Sequence, residues 1–250
     1  GNEVRVKSGQ TIDYETATSH DLTIEVTDSN GSTYSETITI NVEDYEGSYT
    51  GASNADTHTG TSEEDTVSTG NGSDTIIGSD GADSIDGGTG NDTVDYSNST
   101  EGVTVNLETN SGTGGQAEGD TYTSIENVIG SDHDDYVKGT YSEGTTANLG
   151  AGNDKFDNTQ GYFEQHDTVY AEAGDDIVYT GDGNDTIDGG TGNDELYGEG
   201  GNDTILGGDG DDLIRGGVGD DTITGGAGDD TIYGDDYNGT DNDTVIYSGN

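Results

Sequence analysis

Between residues 171 and 233 the chain repeats every nine residues: AEAGDDIVY, TGDGNDTID, GGTGNDELY, GEGGNDTIL, GGDGDDLIR, GGVGDDTIT, GGAGDDTIY. An aspartate closes each turn, at Asp176, Asp185, Asp194, Asp203, Asp212, Asp221 and Asp230. Two residues further on sits Val178, Ile187, Leu196, Ile205, Ile214, Ile223 or Ile232. A nine-residue unit cannot bury its single aliphatic alone, so units in strict phase must stack on one another. If two units make one coil, each residue rests on its counterpart eighteen positions away, at the ~4.8 Å strand spacing. That assumption separates the aliphatics into two faces. Val178, Leu196, Ile214 and Ile232 form one, and Ile187, Ile205 and Ile223 the other. The core between them is a side chain or two thick. Positions are numbered below so that the aspartate is six and the aliphatic eight.

Composition alone argues against any fold. Only 25% of residues are hydrophobic, and the formal net charge is −49. Such a chain has too little apolar surface to offset its entropy, and it repels itself. The periodicity therefore requires something that neutralises carboxylates, for which a divalent cation is the obvious candidate. Nucleic acid is a poor partner, because five Lys plus Arg face 54 Asp plus Glu. An anionic membrane surface is disfavoured for the same reason. There is no Cys, hence neither disulfide nor thiolate site. No apolar run reaches membrane-spanning length and no signal peptide is visible. With no initial Met and ends that look cut, the chain reads as part of something larger.

Residues 1–45 differ from the rest. Asp21–Thr27 and Thr33–Val42 alternate with period two around Asp28-Ser-Asn-Gly31, which predicts a β-hairpin. Residues 46–59 read as a linker. A first array occupies 60–95, with Asp65, Asp74, Asp83 and Asp92 nine apart and Val67, Ile76, Ile85 and Val94 as aliphatic partners. Residues 96–138 interrupt the period and are expected to stack as an enlarged coil. The second array spans 139–250. Asp135 with Val137 and Asp154 with Phe156 look like repeats separated by insertions, and both Asp167 and Asp243 follow the preceding aspartate by nine plus four.

The turns suit a metal. Glycines at positions two and four allow φ > 0 and let backbone carbonyls converge. Calcium takes six to eight hard oxygens in irregular geometry, whereas magnesium demands a near-ideal octahedron. The candidate carboxylates are the Asp of every unit from Asp74 to Asp243, including Asp135, Asp154 and Asp167. The candidate carbonyls are those of Gly190, Gly192, Gly208, Gly210, Gly217, Gly219, Gly226 and Gly228. The alternative is that these aspartates only cap tight turns, but rows of stacked carboxylates without a cation would repel.

Outward positions are less telling. Tyr179, Tyr197 and Tyr233 form a row, broken by Arg215, that either binds sugar rings or protein or stabilises a thin sheet. Thr186, Thr204 and Thr222 form another. Position three beside them runs Asp182, Gly200, Val218, too irregular for an ice-binding face. Enzymatic signals are absent: His20, His58, His133 and His166 are scattered, and no H-E-x-x-H, G-x-S-x-G or P-loop occurs.

Residues 60–250 resemble the RTX (repeats-in-toxin) family, whose repeat is G-G-x-G-x-D-x-U-x. The resemblance implies an all-β, right-handed parallel β-roll that binds several Ca2+ ions between stacked turns. Asp176/Asp194, Asp194/Asp212 and Asp212/Asp230 would pair on one side, Asp185/Asp203 and Asp203/Asp221 on the other. In the first array Asp65/Asp83 and Asp74/Asp92 would pair. It also implies export by type I secretion machinery, unfolded in low cytosolic calcium and folded outside the cell. The stretch from Ile12 to Asp44 resembles the last third of a cadherin-like repeat, which would make Glu15, Asp28 and Asp44 further metal ligands. Together these favour a non-enzymatic segment of a secreted bacterial surface adhesin, extracellular, without membrane insertion. Its partners would be neighbouring domains or copies of the same polypeptide. The alternatives are the carrier module of an RTX exoenzyme or toxin, and a subunit of a calcium-dependent surface layer or filament.

Overall fold

A computed structural model describes residues 19–27, 30–41, 47–140, 143–159, 165–235 and 241–246. The chain divides into two compact units, 1–45 and 46–250. In the first, Ser19–Thr27 pairs antiparallel with Thr33–Asn41, Thr27 facing Thr33. This is the hairpin that the alternation predicts. Glu15, Asp28 and Asp44, the cadherin-like metal candidates, lie outside the described residues.

The second unit is a parallel β-solenoid of about ten turns, matching a right-handed β-roll. Outside residues 96–138 each coil contributes one short strand to each of two sheets, of twelve and ten strands. Ile177–Tyr179, Glu195–Gly200, Leu213–Val218 and Thr231–Asp235 are neighbours in the first, here the Leu196 sheet. Thr186–Thr191, Thr204–Asp209 and Thr222–Ala227 are neighbours in the second, the Ile187 sheet. The eighteen-residue register holds throughout the in-phase run: Leu196 lies beside Ile214 and Ile187 beside Ile205. The four extra residues before Asp167 and Asp243 do not disturb it, since Lys155 still pairs with Ile177 and Thr222 with Thr244. The strands that flank each insertion keep the partners the period assigns them.

Residues 46–59 are not a linker. Ser48–Thr50 pairs with Thr66–Ser68, and Thr57–Thr59 pairs with Thr75–Ile77, adding a coil ahead of the first array. Asp56 sits nine residues before Asp65, so the phase was present in the sequence. It was hidden because Tyr49 and His58, rather than aliphatics, occupy the inward positions. Their rings stack at 4.0 Å between centroids and close that end of the core.

Residues 96–138 remain within the stack but do more than enlarge one coil. In the Ile187 sheet Asn127–Ile129 pairs parallel with Thr93–Asp95 on one side and Thr146–Asn148 on the other. In the Leu196 sheet three strands intervene instead of one. Ser111–Thr113 runs antiparallel to both Thr104–Asn106 and Thr121–Thr123, so the chain doubles back before rejoining the roll. Thr121–Thr123 then pairs parallel with Ser84–Asp86, and Thr104–Asn106 with Tyr136–Lys138.

The core is the pair of ladders that position eight predicts. Val178, Leu196, Ile214 and Ile223 are fully buried, as are Phe156 and Val137 in the units separated by insertions. Every core side chain is sandwiched between the coils above and below, so its loss is felt by nearest neighbours and cannot be relaxed by a thick interior. Phe156→Ala is expected to cost about 3–5 kcal/mol in urea unfolding at saturating calcium. A loss below about 1 kcal/mol would mean that the ladder does not carry the roll.

Candidate metal-binding turns

The turns owe their shape to glycine. Position two is left-handed at Gly190 (φ 92°), Gly208 (116°), Gly217 (115°) and Gly226 (115°), and position four at Gly192 (134°), Gly210 (144°), Gly219 (134°) and Gly228 (144°). These φ values lie where L side chains rarely go. A side chain at Gly192 would also strike the carbonyl of Gly174 in the preceding coil. Glycine thus lets turns stack as closely as strands do.

The aspartates form two columns. Asp83, Asp135, Asp154, Asp176, Asp194, Asp212 and Asp230 each precede a strand of the Leu196 sheet. Asp74, Asp92, Asp167, Asp185, Asp203, Asp221 and Asp243 precede strands of the Ile187 sheet. Within a column each Oδ1 accepts the backbone N–H of the preceding coil. Asp176 N–H donates to Asp194 at 2.9 Å, Asp194 to Asp212 at 3.0 Å and Asp212 to Asp230 at 3.1 Å. On the other side Asp185 donates to Asp203 at 2.8 Å, Asp203 to Asp221 at 2.8 Å and Asp221 to Asp243 at 3.0 Å. The first array does the same, Asp74 to Asp92 at 2.9 Å.

The second oxygen is different. Oδ2 of Asp74, Asp92, Asp154, Asp176, Asp185, Asp194, Asp203 and Asp212 is buried and meets no hydrogen-bond donor. A buried carboxylate oxygen left this way costs several kcal/mol on the usual scale, far more than a marginal fold can lose repeatedly. Burial accordingly pushes the carboxyl of Asp154 up to about 8, those of Asp185, Asp194 and Asp203 to about 7, and that of Asp176 to about 6. The Oδ1 hydrogen bonds pull the other way without cancelling the effect.

Backbone oxygens come to the same place. A side chain at Gly189 would run into both Asp194 Oδ2 and the Gly207 carbonyl oxygen, and one at Gly207 into both Asp212 Oδ2 and the Gly225 carbonyl oxygen. These position-one carbonyls were missed by sequence reasoning, which looked only to positions two and four. Their signal was the first glycine of the doublet. Among the described residues no three His, Asp or Glu side chains gather into a metal cluster. A cation here therefore draws on carboxylates and backbone carbonyls together, a donor set of hard oxygens in irregular geometry that fits calcium better than magnesium.

Position five was also missed. Its side chain accepts the N–H of position five one coil later: Asn193 N–H donates to Asp175 Oδ1 at 2.8 Å, Asp211 to Asn193 at 2.9 Å and Asp229 to Asp211 at 2.8 Å. On the other edge Asn202 N–H donates to Asn184 Oδ1 at 2.7 Å, and Asn184 N–H to His166 Nδ1 at 2.8 Å. The unbroken Asn-or-Asp at position five from Asp175 to Asp229 carried this information, and His166 takes the same place one unit earlier. The two ladders run in opposite senses and lock each turn to both neighbours.

The tyrosine row lies on the outer face of the Leu196 sheet. Tyr179 and Tyr197 stack at 4.5 Å with planes 8° apart, and the Arg215 guanidinium lies 4.6 Å from the Tyr233 ring centre. Lys155 Nζ reaches to 5.8 Å from the Tyr179 ring. The facing surfaces of Tyr179 and Tyr197 thus cover each other and cannot be offered to a sugar. The geometry favours a sheet-stabilising role.

The raised carboxyl pKa values give a pH dependence with a definite sign. An unfolded Asp titrates near ~3.9. Folded groups titrating at about 6 to 8 hold protons that the coil has lost, so this stabilisation is full below ~pH 4 and disappears as pH rises through 6–8. In chelator, circular dichroism is expected to show more β structure at pH 5 than at pH 8.5. Equal spectra would contradict the burial of uncompensated carboxylates.

Comparison with known proteins agrees with this geometry. The RTX calcium-binding nonapeptide repeat matches four segments, residues 59–94, 164–187, 179–214 and 206–245. No curated protein matches the chain. The matched segments carry most of the stacked aspartates, though not Asp135 or Asp154, and among the described residues they include Asp74, Asp92, Asp176, Asp185, Asp194, Asp203 and Asp212, whose second oxygen lacks a donor. Residues 59–94 and 164–245 match the RTX calcium-binding nonapeptide repeat, which supports an RTX β-roll whose repeated turns bind multiple calcium ions.

Proposed function

We propose that this chain is a calcium-folded segment of a secreted bacterial surface adhesin. It leaves the cell unfolded through a type I exporter and folds when extracellular calcium fills its turns. The observation that carries the reading is the row of buried Asp Oδ2 atoms without donors. In a calcium-poor cytosol those oxygens and a net charge of −49 oppose folding, which keeps the chain threadable. Outside, binding energy becomes folding energy. The absence of Cys fits, since no oxidative step has to follow export. The adhesin role rests on the hairpin of residues 19–41 ahead of the roll and on its resemblance to the end of a cadherin-like repeat. The roll is then a non-enzymatic spacer that stiffens the protein in calcium.

The test joins the chain to a type I export signal in cells that carry the exporter. The chain is expected in the medium with or without calcium, resistant to protease only when calcium is present. Protease-resistant chain accumulating inside the cells would contradict the proposal.

A further inference from the structure

The coils do not all present the same carboxylate. At Asp65, Asp83 and Asp135, position two is Thr61, Ser79 or Ser131, and none of these is left-handed. Each closes its own turn. Ser131 donates its N–H to Asp135 Oδ2 at 2.5 Å and its hydroxyl to Oδ1 at 2.9 Å. Thr61 donates its N–H to Asp65 Oδ2 at 2.6 Å, and its hydroxyl lies 3.1 and 3.2 Å from the two carboxylate oxygens. The Ser79 hydroxyl donates to Asp83 Oδ2 at 3.1 Å.

The turns with an unmet Oδ2 are built otherwise. Their position two is left-handed: Gly88 (φ 90°), Gly150 (99°) and Gly190 (92°), and also Glu172 (74°) and Glu199 (70°). An L residue in that region costs about 1–2 kcal/mol, so the two glutamates keep this conformation against their own preference. A left-handed position two does not direct its N–H at the carboxylate. At Gly88 it goes to Asp86 Oδ1 instead, at 3.1 Å. A position two outside that region sends N–H or hydroxyl to the aspartate four residues on, a local cap of the Ser/Thr type.

We infer that position two decides which turns take calcium: left-handed turns leave Asp Oδ2 for the ion, and Ser/Thr turns satisfy the carboxylate themselves and stay metal-free. This rests on the calcium reading above. It removes Asp65, Asp83 and Asp135 from the ion sites. Asp120 joins them, because its Oδ1 accepts Asp83 N–H at 2.8 Å and its Oδ2 accepts the buried Tyr96 hydroxyl at 2.5 Å. All four precede strands of the Leu196 sheet. That edge is therefore a metal-free spine from Thr61 to Asp135, while Asp74 and Asp92 bind calcium across the roll. From Asp154 onward that same edge turns to calcium, Asp176, Asp194 and Asp212 following it.

The test uses the full chain and calcium itself. Long-wavelength anomalous diffraction from crystals grown in calcium is expected to show ions beside Asp194, Asp203 and Asp212 and none beside Asp65, Asp83 or Asp135. In solution, elemental analysis of the desalted protein counts bound calcium. Asp194→Asn is expected to lower the count, whereas Thr61→Ala and Ser131→Ala leave it unchanged. Ions beside Asp65, Asp83 or Asp135, or a count that falls in either Ala variant, would overturn the inference while leaving calcium binding intact. A wild-type chain that holds no calcium would instead overturn the reading on which it rests.

Discussion

Each calcium-binding turn of this roll rests on a carboxylate that the protein satisfies only halfway. One oxygen ties its coil to the coil before; the other faces a pocket of glycine and carbonyl oxygen with no donor. The first contact fixes the eighteen-residue stacking. The second makes that stacking costly until a cation arrives. Structure and switch are thus the same side chain. Two apolar ladders a residue wide could not oppose so many stacked carboxylates on their own.

The rest of the turn follows from this constraint. Glycine is needed where a side chain would fill the space between stacked carbonyls, as at Gly192. An acceptor side chain at position five, Asn or Asp and once His166, returns a hydrogen bond in the opposite direction. The outer faces are freer, and they hold what the interior cannot. All three basic residues beyond the first unit, Lys138, Lys155 and Arg215, lie on the Leu196 sheet. Lys138 pairs with Glu108 at 2.6 Å, and Lys155 and Arg215 lie against tyrosine rings. Stacked neighbours eighteen residues apart make such rows cheap to build.

Much of the fold was legible because a strict period fixes register. Once the aspartates at Asp176 through Asp230 were in phase, the partners of Leu196 and Ile187 followed. The first coil escaped notice because Tyr49 and His58 took the aliphatic positions while Asp56 kept the phase. The doubling back at Ser111–Thr113 could not be read, since strand order within an insertion depends on which partner is nearest and not on period. In the site, the aspartates were plain from spacing. Whether an aspartate is capped by its own turn was not, because Ser79 and Gly88 differ by a backbone angle that no periodicity records.

The most direct test of the central claim is far-ultraviolet circular dichroism of the full chain at neutral pH, titrated with calcium after exhaustive metal removal, with magnesium as control. A cooperative rise in β signal is predicted at about 10⁻⁴–10⁻³ M calcium, the range of extracellular modules, and no comparable rise with magnesium. A β spectrum already complete in chelator, and unchanged by calcium, would mean that the ladders hold the roll unaided and that the unmet Asp oxygens are not what folding waits for.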